Sequence, residues 1–285
     1  MVMEPPKPEN TENPFMVAVE PLTEAIRTAY QSVFVANEKP LSLLLIAETD
    51  SGKSDLILSY RPVAECVLKA IHVETLSDVS ASGLYRIVRD KTNPVIIIIP
   101  DFHAVVSHKT SVTENTINSL MSLLQDGVMK VSVGPGEPVE LKGKRASLIT
   151  AMTPGILSGK AGKWRKLGFM RRLLPVHYTY SETTSRAIHE SIRKGEYYRD
   201  VKPLTVPVVA PQVVTIPAPF DSQVEDLAKD VSRNLENRGF TAHKFFRVYA
   251  KSRALIHGRN RVTEVEYKEL LEFSDFCNLS DAKQI

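Results

Sequence analysis

The pattern of apolar and polar residues along the chain predicts strands that alternate with helices. Uninterrupted apolar runs indicate buried strands at 43–46 and 95–99, and the second run, five β-branched residues, ends at Pro100. Weaker apolar segments predict further strands at 70–73, 147–151 and 176–180. Apolar residues at helical spacing predict helices at 21–36, 56–58, 82–89 and 111–124. This order favours an α/β fold, a mainly parallel sheet in a three-layer αβα domain.

A β-hairpin is predicted between the helix at 111–124 and the strand at 147–151. Residues 128–133 and 139–142 alternate apolar and polar side chains on either side of a Gly-Pro-Gly turn. Ser111 and Glu114 have the spacing of a capping box for the helix before the hairpin, and Gly127 marks its expected end.

The pattern changes after residue 181. A helix near 185–193 precedes a segment rich in Val and Pro, 203–219, which is typical of an extended connector. Three helices then follow. Their terminal signals are a Ser222–Glu225 capping box with Gly239 as the stop, and a Thr263–Glu266 capping box for the last helix.

Length and composition agree with this division. We expect a disordered leader at 1–14, an α/β domain at 15–181, and a connector with a small helical domain at 182–285. No apolar run is long enough to cross a bilayer, and the first residues lack the apolar core of a secretion signal. Cys66 and Cys277 lie far apart without metal-ligand spacing, which predicts reduced thiols in a cytoplasmic protein with no membrane partner.

The first strand leads into a segment with the pattern of a phosphate-binding loop. A strand, a loop that ends in Gly-Lys-Ser and a following helix form the context that this motif requires. In that role Lys53 contacts the terminal phosphates of ATP, and Ser54 offers its hydroxyl to Mg²⁺. The predicted nucleotide-binding residues are Asp50, Ser51, Gly52, Lys53, Ser54 and Asp55.

Two features of this loop depart from the motif. Ala47 stands where the first glycine of the pattern belongs, and Glu48 and Asp50 bring negative charge to a loop that would hold phosphate. The alternative interpretation is an ordinary strand, turn and helix that contains Gly-Lys-Ser by chance.

Asp101, directly after the strand at 95–99, is the candidate for the second carboxylate site of a nucleotide hydrolase. The usual pattern ends in Asp-Glu. One alignment places Pro100 at the metal-binding position and Asp101 at the catalytic one, and the other places Asp101 at the metal and Phe102 at the catalytic position. Either way one carboxylate is missing, which predicts slow hydrolysis. The alternative is that Asp101 is a turn residue at the end of a strand.

The residues that follow resemble AAA+ ATPases with a presensor hairpin, and MCM helicases and MoxR-type ATPases are the groups most similar to them. The resemblance is carried by residues 118–127, by the hairpin and by residues 147–154, and it extends in order and spacing from about 41 to 181. Residues 254–263 are similar to the helical lid of that family. The resemblance implies a P-loop domain followed by a lid, binding of ATP and Mg²⁺, and assembly into a homo-oligomeric ring, a hexamer.

The same resemblance assigns further roles. Thr153 stands at the sensor position, where the family more often has Asn. Arg172 stands at the arginine finger, which acts on the nucleotide of a neighbouring subunit, and Arg171 competes for that role. The second sensor is expected near 241–247, where Lys244 or Arg247 would have to supply it.

A basic stretch suggests a partner. Residues 142–172 contain nine Lys or Arg and no Asp or Glu, next to a hairpin that projects into the central pore of the related helicases. We therefore expect a DNA-remodelling or DNA-translocating ATPase of replication or recombination, with Trp164 able to stack on a base. Two alternatives stay open: a MoxR-like protein remodeller, and a nucleotide-binding adaptor that does not hydrolyse ATP.

Overall fold

A computed structural model describes residues 18–89, 91–124, 130–131, 139–140, 144–196, 201–232, 239–279 and 281–285. The strands are β1 (Leu43–Ile46), β2 (Tyr60–Arg61), β3 (His72–Thr75), β4 (Val95–Ile99), β5 (Lys130–Val131), β6 (Val139–Glu140), β7 (Ala146–Met152), β8 (Leu174–Thr179), β9 (Lys202–Pro203) and β10 (Lys283–Gln284). The helices are α1 (Glu20–Ser32), α2 (Lys53–Ser59), α3 (Glu65–Ala70), α4 (Ala81–Arg89), α5 (His103–Val106), α6 (Thr110–Leu124), α7 (Pro154–Leu167), α8 (Glu182–Arg193), α9 (Ala218–Ser232), α10 (Phe240–Ile256) and α11 (Glu264–Ser274).

A six-stranded sheet forms the centre of the fold, in the order β10-β8-β1-β7-β4-β3, and every neighbouring pair is parallel. Successive side chains of a strand point to opposite faces. Leu43 and Leu45 accordingly pack on the side of α1, α2 and α10, whereas Leu44 and Ile46 pack on the side of α4, α6 and α7. Both faces are therefore buried, which confirms the predicted three-layer α/β domain.

Most predicted elements form close to their expected positions. The two strongest strands have the predicted limits, and β5 and β6 pair antiparallel as the predicted hairpin. Gly127 lies outside the described residues. The pattern did not predict α3 or α7, and α7 is the element into which much of the basic stretch folds.

The C-terminal helices follow the connector, and α10 packs against α1. Arg253 of α10 is 6% exposed and forms ion pairs with Glu24 of α1 and Glu269 of α11. Burial by itself would lower the pKa of Arg253, but the two carboxylates raise it overall, so the guanidinium stays charged. This network joins the helical part of the chain to the first helix. None of the described helices is both long and apolar enough to cross a membrane.

Of the three predicted capping boxes, the last is confirmed and the other two are wrong: helix α6 begins at Thr110, so Ser111 lies inside that helix. Thr263 accepts a hydrogen bond from the Val265 amide, and its own amide donates to Glu266, so the last capping box forms. Helix α9, however, begins at Ala218, because its first turn includes a proline, and Ser222 therefore lies inside the helix. Gly239, the expected end of the helix before it, has φ +73° and is the N-cap residue of α10.

Candidate functional site

The predicted phosphate loop, residues 47–54, emerges from the carboxyl end of β1. This strand lies between β7 and β8 in the interior of the sheet. Ligands of open parallel sheets bind outside the carboxyl ends of such strands. The edge of the sheet at these strand ends is called the carboxyl edge below, and the opposite one the amino edge.

The backbone of the loop turns sharply at two residues. Asp50 has φ +64° and Gly52 has φ +69°, both in the left-handed region. Glycine adopts that region without steric cost, and aspartate tolerates it better than most side chains. A turn of this kind brings Lys53 back over its own loop. The Lys53 ammonium donates to the Glu48 carbonyl at 2.5 Å and to the Ser51 hydroxyl at 3.0 Å.

The electrostatic environment of Lys53 is mixed. Its partial burial lowers its pKa, whereas the carboxylates of Asp101, Glu48 and Asp50 act to raise it. The ammonium thus lies near three acidic groups and is partly shielded from water. An anion that approached this ammonium would meet a cation whose direct partners are neutral oxygens, so no ion pair to a carboxylate has to be broken first.

The structure brings the two predicted magnesium-binding residues together. The Ser54 hydroxyl donates to the Pro100 carbonyl at 3.0 Å, which joins the start of α2 to the end of β4. The next residue, Asp101, is exposed and accepts a hydrogen bond from the His103 amide at 2.9 Å. Its charge also acts on Lys53. Lys53, Ser54 and Asp101 thus lie at the same carboxyl edge, and their roles in binding nucleotide and Mg²⁺ stay a prediction.

Phe102 and Trp164 belong to the core. Phe102 is fully buried and stacks on Phe169 at 5.6 Å between ring centroids, and Trp164 packs edge-on against both rings. Trp164 is only 1% exposed, so the expectation that it stacks on a base is wrong. Its burial has a local cause. Helix α7 ends at Gly168, where the Phe169 amide returns to the Trp164 carbonyl and brings the two rings together.

Thr153, the predicted sensor, directly follows β7 and precedes α7. Its side chain makes no capping hydrogen bond to α7. Met152 pairs with Ile46, the last residue of β1, so Thr153 lies beside the beginning of the phosphate loop. The structure therefore places Thr153 at the same edge as Lys53 and Asp101.

The two predicted finger residues lie at the other edge of the sheet. Arg171 and Arg172 precede β8, whose first residue, Leu174, pairs with the first residue of β1. A strand of four residues, such as β1, spans about 13 Å. Arg172 is half-buried and donates to the Gly168 carbonyl, and burial lowers its pKa. Arg171 is exposed.

Lys244 is exposed on the first turns of α10. Its neighbours Thr241, Ala242 and Phe245 line a groove of about 550 Å³ together with residues 173–175 at the start of β8. The structure therefore places Lys244 near the amino edge and does not bring it together with Lys53. Arg247, the other candidate for the second sensor, forms an ion pair with Asp221 of α9.

Some basic residues of the 142–172 stretch have structural partners. Lys144 donates to the carbonyls of Arg89 and Lys91, and Arg145 donates to those of Val33 and Val35. Lys163 of α7 is paired with Glu114 of α6. The exposed cations nearby are Lys160, Arg165, Lys166 and Arg171. Residue 142 lies outside the described residues.

Sequence reasoning missed a contact that holds the phosphate loop. The Tyr180 hydroxyl donates to the Ser51 carbonyl at 2.7 Å, and the Tyr178 hydroxyl lies 3.4 Å from the same oxygen. The two tyrosines stand at alternate positions of a predicted strand, and this spacing could have indicated that their side chains share one face.

A second cavity, of about 610 Å³, is bounded by residues of α1, α10, α11 and β10.

Comparisons with known proteins give a fold-level similarity. No protein-family model and no curated protein matches the chain. The chain is similar to the crystal structure of a candidate ATPase from Cytophaga hutchinsonii, with 12% sequence identity, 93% of this chain and 83% of that chain covered, and a TM-score of 0.48.

Proposed function

We propose that the chain is a Mg²⁺- and ATP-dependent ATPase of the AAA+ type with a presensor hairpin. The observation that carries the proposal is the cluster at the carboxyl edge, where the Ser54 hydroxyl bonds the Pro100 carbonyl and Lys53 lies in the field of Asp101. A phosphate-binding loop, a hydroxyl and a carboxylate at adjacent strand ends are the parts that P-loop enzymes use. The parallel αβα sheet and the antiparallel β5–β6 pair agree with this class.

The residues present fit ATP and magnesium. Mg²⁺ prefers oxygen ligands and is usually held by one or two carboxylates together with substrate phosphates. Ser54 and Asp101 supply a hydroxyl and a carboxylate, and Lys53 supplies the positive charge for the β- and γ-phosphates. Bound magnesium neutralises charge on those phosphates. Thr153 has a hydroxyl at the same edge that can orient the attacking water.

Hydrolysis is expected to be slow. The residue after Asp101 is Phe102, and its ring is fully buried. This position therefore supplies no second carboxylate to the site. Asp101 is therefore the carboxylate that β4 offers at this edge. A direct test is ATP turnover by the wild-type protein, measured alone and with single-stranded or duplex DNA. Absence of Mg²⁺-ATP binding under all these conditions would refute the proposal.

We propose that the chain assembles into a ring, with six subunits as the number that the family resemblance implies, and the position of the arginines supports this proposal. Arg171 and Arg172 lie across the sheet from the phosphate loop of their own chain, so an arginine finger at this position would act on the nucleotide of another copy. Arg171 is the better candidate, because it is exposed whereas Arg172 is bonded to Gly168. Size-exclusion chromatography with light scattering, with and without ATP, tests whether ATP promotes assembly.

DNA is the proposed partner of the ring. The exposed cations Lys160, Arg165, Lys166 and Arg171 favour a polyanion, although the structural roles of Lys144 and Arg145 reduce the basic surface. Binding to DNA should weaken steeply with salt. Binding that does not depend on salt, or no binding, would favour the MoxR-like protein remodeller.

A second candidate function is that of a nucleotide-binding adaptor without turnover. The observation that favours it is Phe102, buried at the place of the second carboxylate. ATP binding in the absence of turnover under every DNA condition would select this function.

A further inference from the structure

We infer that Tyr180, assisted by Tyr178, is a positioning residue that orients the peptide between Ser51 and Gly52 for binding of nucleotide phosphates. The inference rests on the proposed function, because it concerns how the same loop acquires its affinity. It assigns a role to a side chain of β8 and to the side chain that directly follows this strand, neither of which would itself touch the nucleotide.

The contact is short and comes from outside the loop. The Tyr180 hydroxyl donates to the Ser51 carbonyl at 2.7 Å, the usual length of a strong O–H···O bond. Tyr178 approaches the same oxygen at 3.4 Å, which is long for such a bond, so Tyr180 provides most of the restraint. The two rings lie edge to face with centroids 5.9 Å apart. Burial raises the pKa of both phenols, so both remain protonated donors at neutral pH.

The restraint determines where the next amide points. In a trans peptide the carbonyl and the N–H point in opposite directions. Because the Ser51 carbonyl is held toward β8, the Gly52 N–H is directed away from β8. The loop has to present backbone N–H groups to phosphate oxygens in order to hold them. The hydrogen bond from Tyr180 to the Ser51 carbonyl therefore fixes the direction of the Gly52 N–H on the opposite side of the same peptide.

The surroundings make this restraint firm. Strand β8 is itself held by β10, which pairs with it at Tyr178 and Thr179. The Ser181 amide and the Thr184 hydroxyl both donate to the Ile285 carbonyl just beyond that pairing. Gly52 lies next to the phenol, since a Cβ at that position would be in van der Waals contact with the Tyr180 hydroxyl at 3.9 Å. Tyr180, the residue directly after this fixed strand, thus contacts a loop that bends at Gly52.

The test compares three substitutions that each remove one tyrosine hydroxyl and keep the ring. Tyr180→Phe should raise the Kd for Mg²⁺-ATP about three- to tenfold, the range expected for one net hydrogen bond. Tyr178→Phe should have a smaller effect. Tyr30→Phe is the matched control, because within the described chain the buried Tyr30 hydroxyl has no hydrogen-bond partner, and its Kd should equal that of the wild type.

Two readouts separate positioning from a general structural role. In Tyr180→Phe the number of ATP sites per chain should stay the same while Kd rises, and hydrogen exchange should accelerate in the peptide that covers residues 47–54 and not elsewhere. A lower number of sites with unchanged Kd would mean structural damage and would overturn the inference.

Lys53→Ala separates this inference from the proposed function. If it abolishes ATP binding while Tyr180→Phe binds as tightly as the wild type, the inference fails and the proposed function stands. If the wild-type protein does not bind Mg²⁺-ATP at all, both fail.

Discussion

Replacement of Lys53 by alanine is the most direct test of the nucleotide site. The change removes a half-buried ammonium whose partners are the Glu48 carbonyl and the Ser51 hydroxyl. Each of these hydrogen bonds contributes about 1 kcal/mol net to folding, and the cost of burying the charge, visible as the lowered pKa of Lys53, offsets part of it. We therefore expect the free energy of unfolding without nucleotide to change by less than about 2 kcal/mol.

The effect on ATP should be much larger. At an effective dielectric constant of about 20, two unit charges about 4 Å apart interact by about 4 kcal/mol. Since each 1.4 kcal/mol corresponds to roughly a factor of ten, Kd for Mg²⁺-ATP should rise about a thousandfold. Lys69→Ala is a matched control, because it removes an exposed lysine paired with Glu65 on α3.

The assay is a titration with a fluorescent ATP analogue, combined with thermal unfolding with and without ATP. Binding should also weaken as the pH rises through the lowered pKa of Lys53, because only the protonated ammonium attracts phosphate. An ATP affinity of Lys53→Ala within a few-fold of the wild type would refute the assignment of the phosphate loop.

Three further predictions concern the rest of the site. Arg171→Ala should retain ATP binding and lose turnover, and mixing it with Lys53→Ala should restore some activity, since each mutant supplies what the other lacks at one kind of interface. The same assays on Arg172→Ala identify which arginine acts as the finger. Full turnover in both single mutants would exclude both arginines from that role. Asp101→Asn should leave the melting temperature nearly unchanged, because the residue is exposed, and should lower turnover much more than ATP affinity; a wild-type rate would place the catalytic carboxylate elsewhere. Trp164→Ala should destabilise the fold by about 3–5 kcal/mol, and fluorescence of Trp164, the chain's single tryptophan, should be blue-shifted and insensitive to DNA; quenching by DNA in the folded protein would contradict its burial.

Local signals predicted the elements that form the site. Strands β1 and β4 are apolar throughout, so both faces had to be buried, and that requirement fixed their limits and the parallel three-layer class. The Gly-Lys-Ser segment and Asp101 each follow one of these strands. Because parallel strands end at the same edge, their proximity followed from the same pattern, and the Ser54–Pro100 contact agrees with it.

Helices gave less certain signals. A capping box needs the correct backbone around it, and Thr263 has that backbone whereas Ser222 lies within α9. Helix α7 has few apolar positions at helical spacing and was not predicted. Its ends are set by Pro154 at the start and by the left-handed Gly168 at the end, signals that became decisive only beside the hydrophobic contact of Trp164 with Phe169.

What the sequence determined by itself was the order of strands and helices, the candidate phosphate loop after β1 and the single carboxylate, Asp101, close to the end of β4, because each depends on neighbouring residues. The tertiary structure decided which basic and aromatic side chains are available to a partner. Trp164 is buried in the core, Arg145 donates hydrogen bonds to backbone carbonyls, and the arginines before β8 lie across the sheet from Lys53. The Tyr180 contact with Ser51 joins residues far apart in the chain. Such contacts depend on which strands become neighbours, and that is settled only when the sheet assembles.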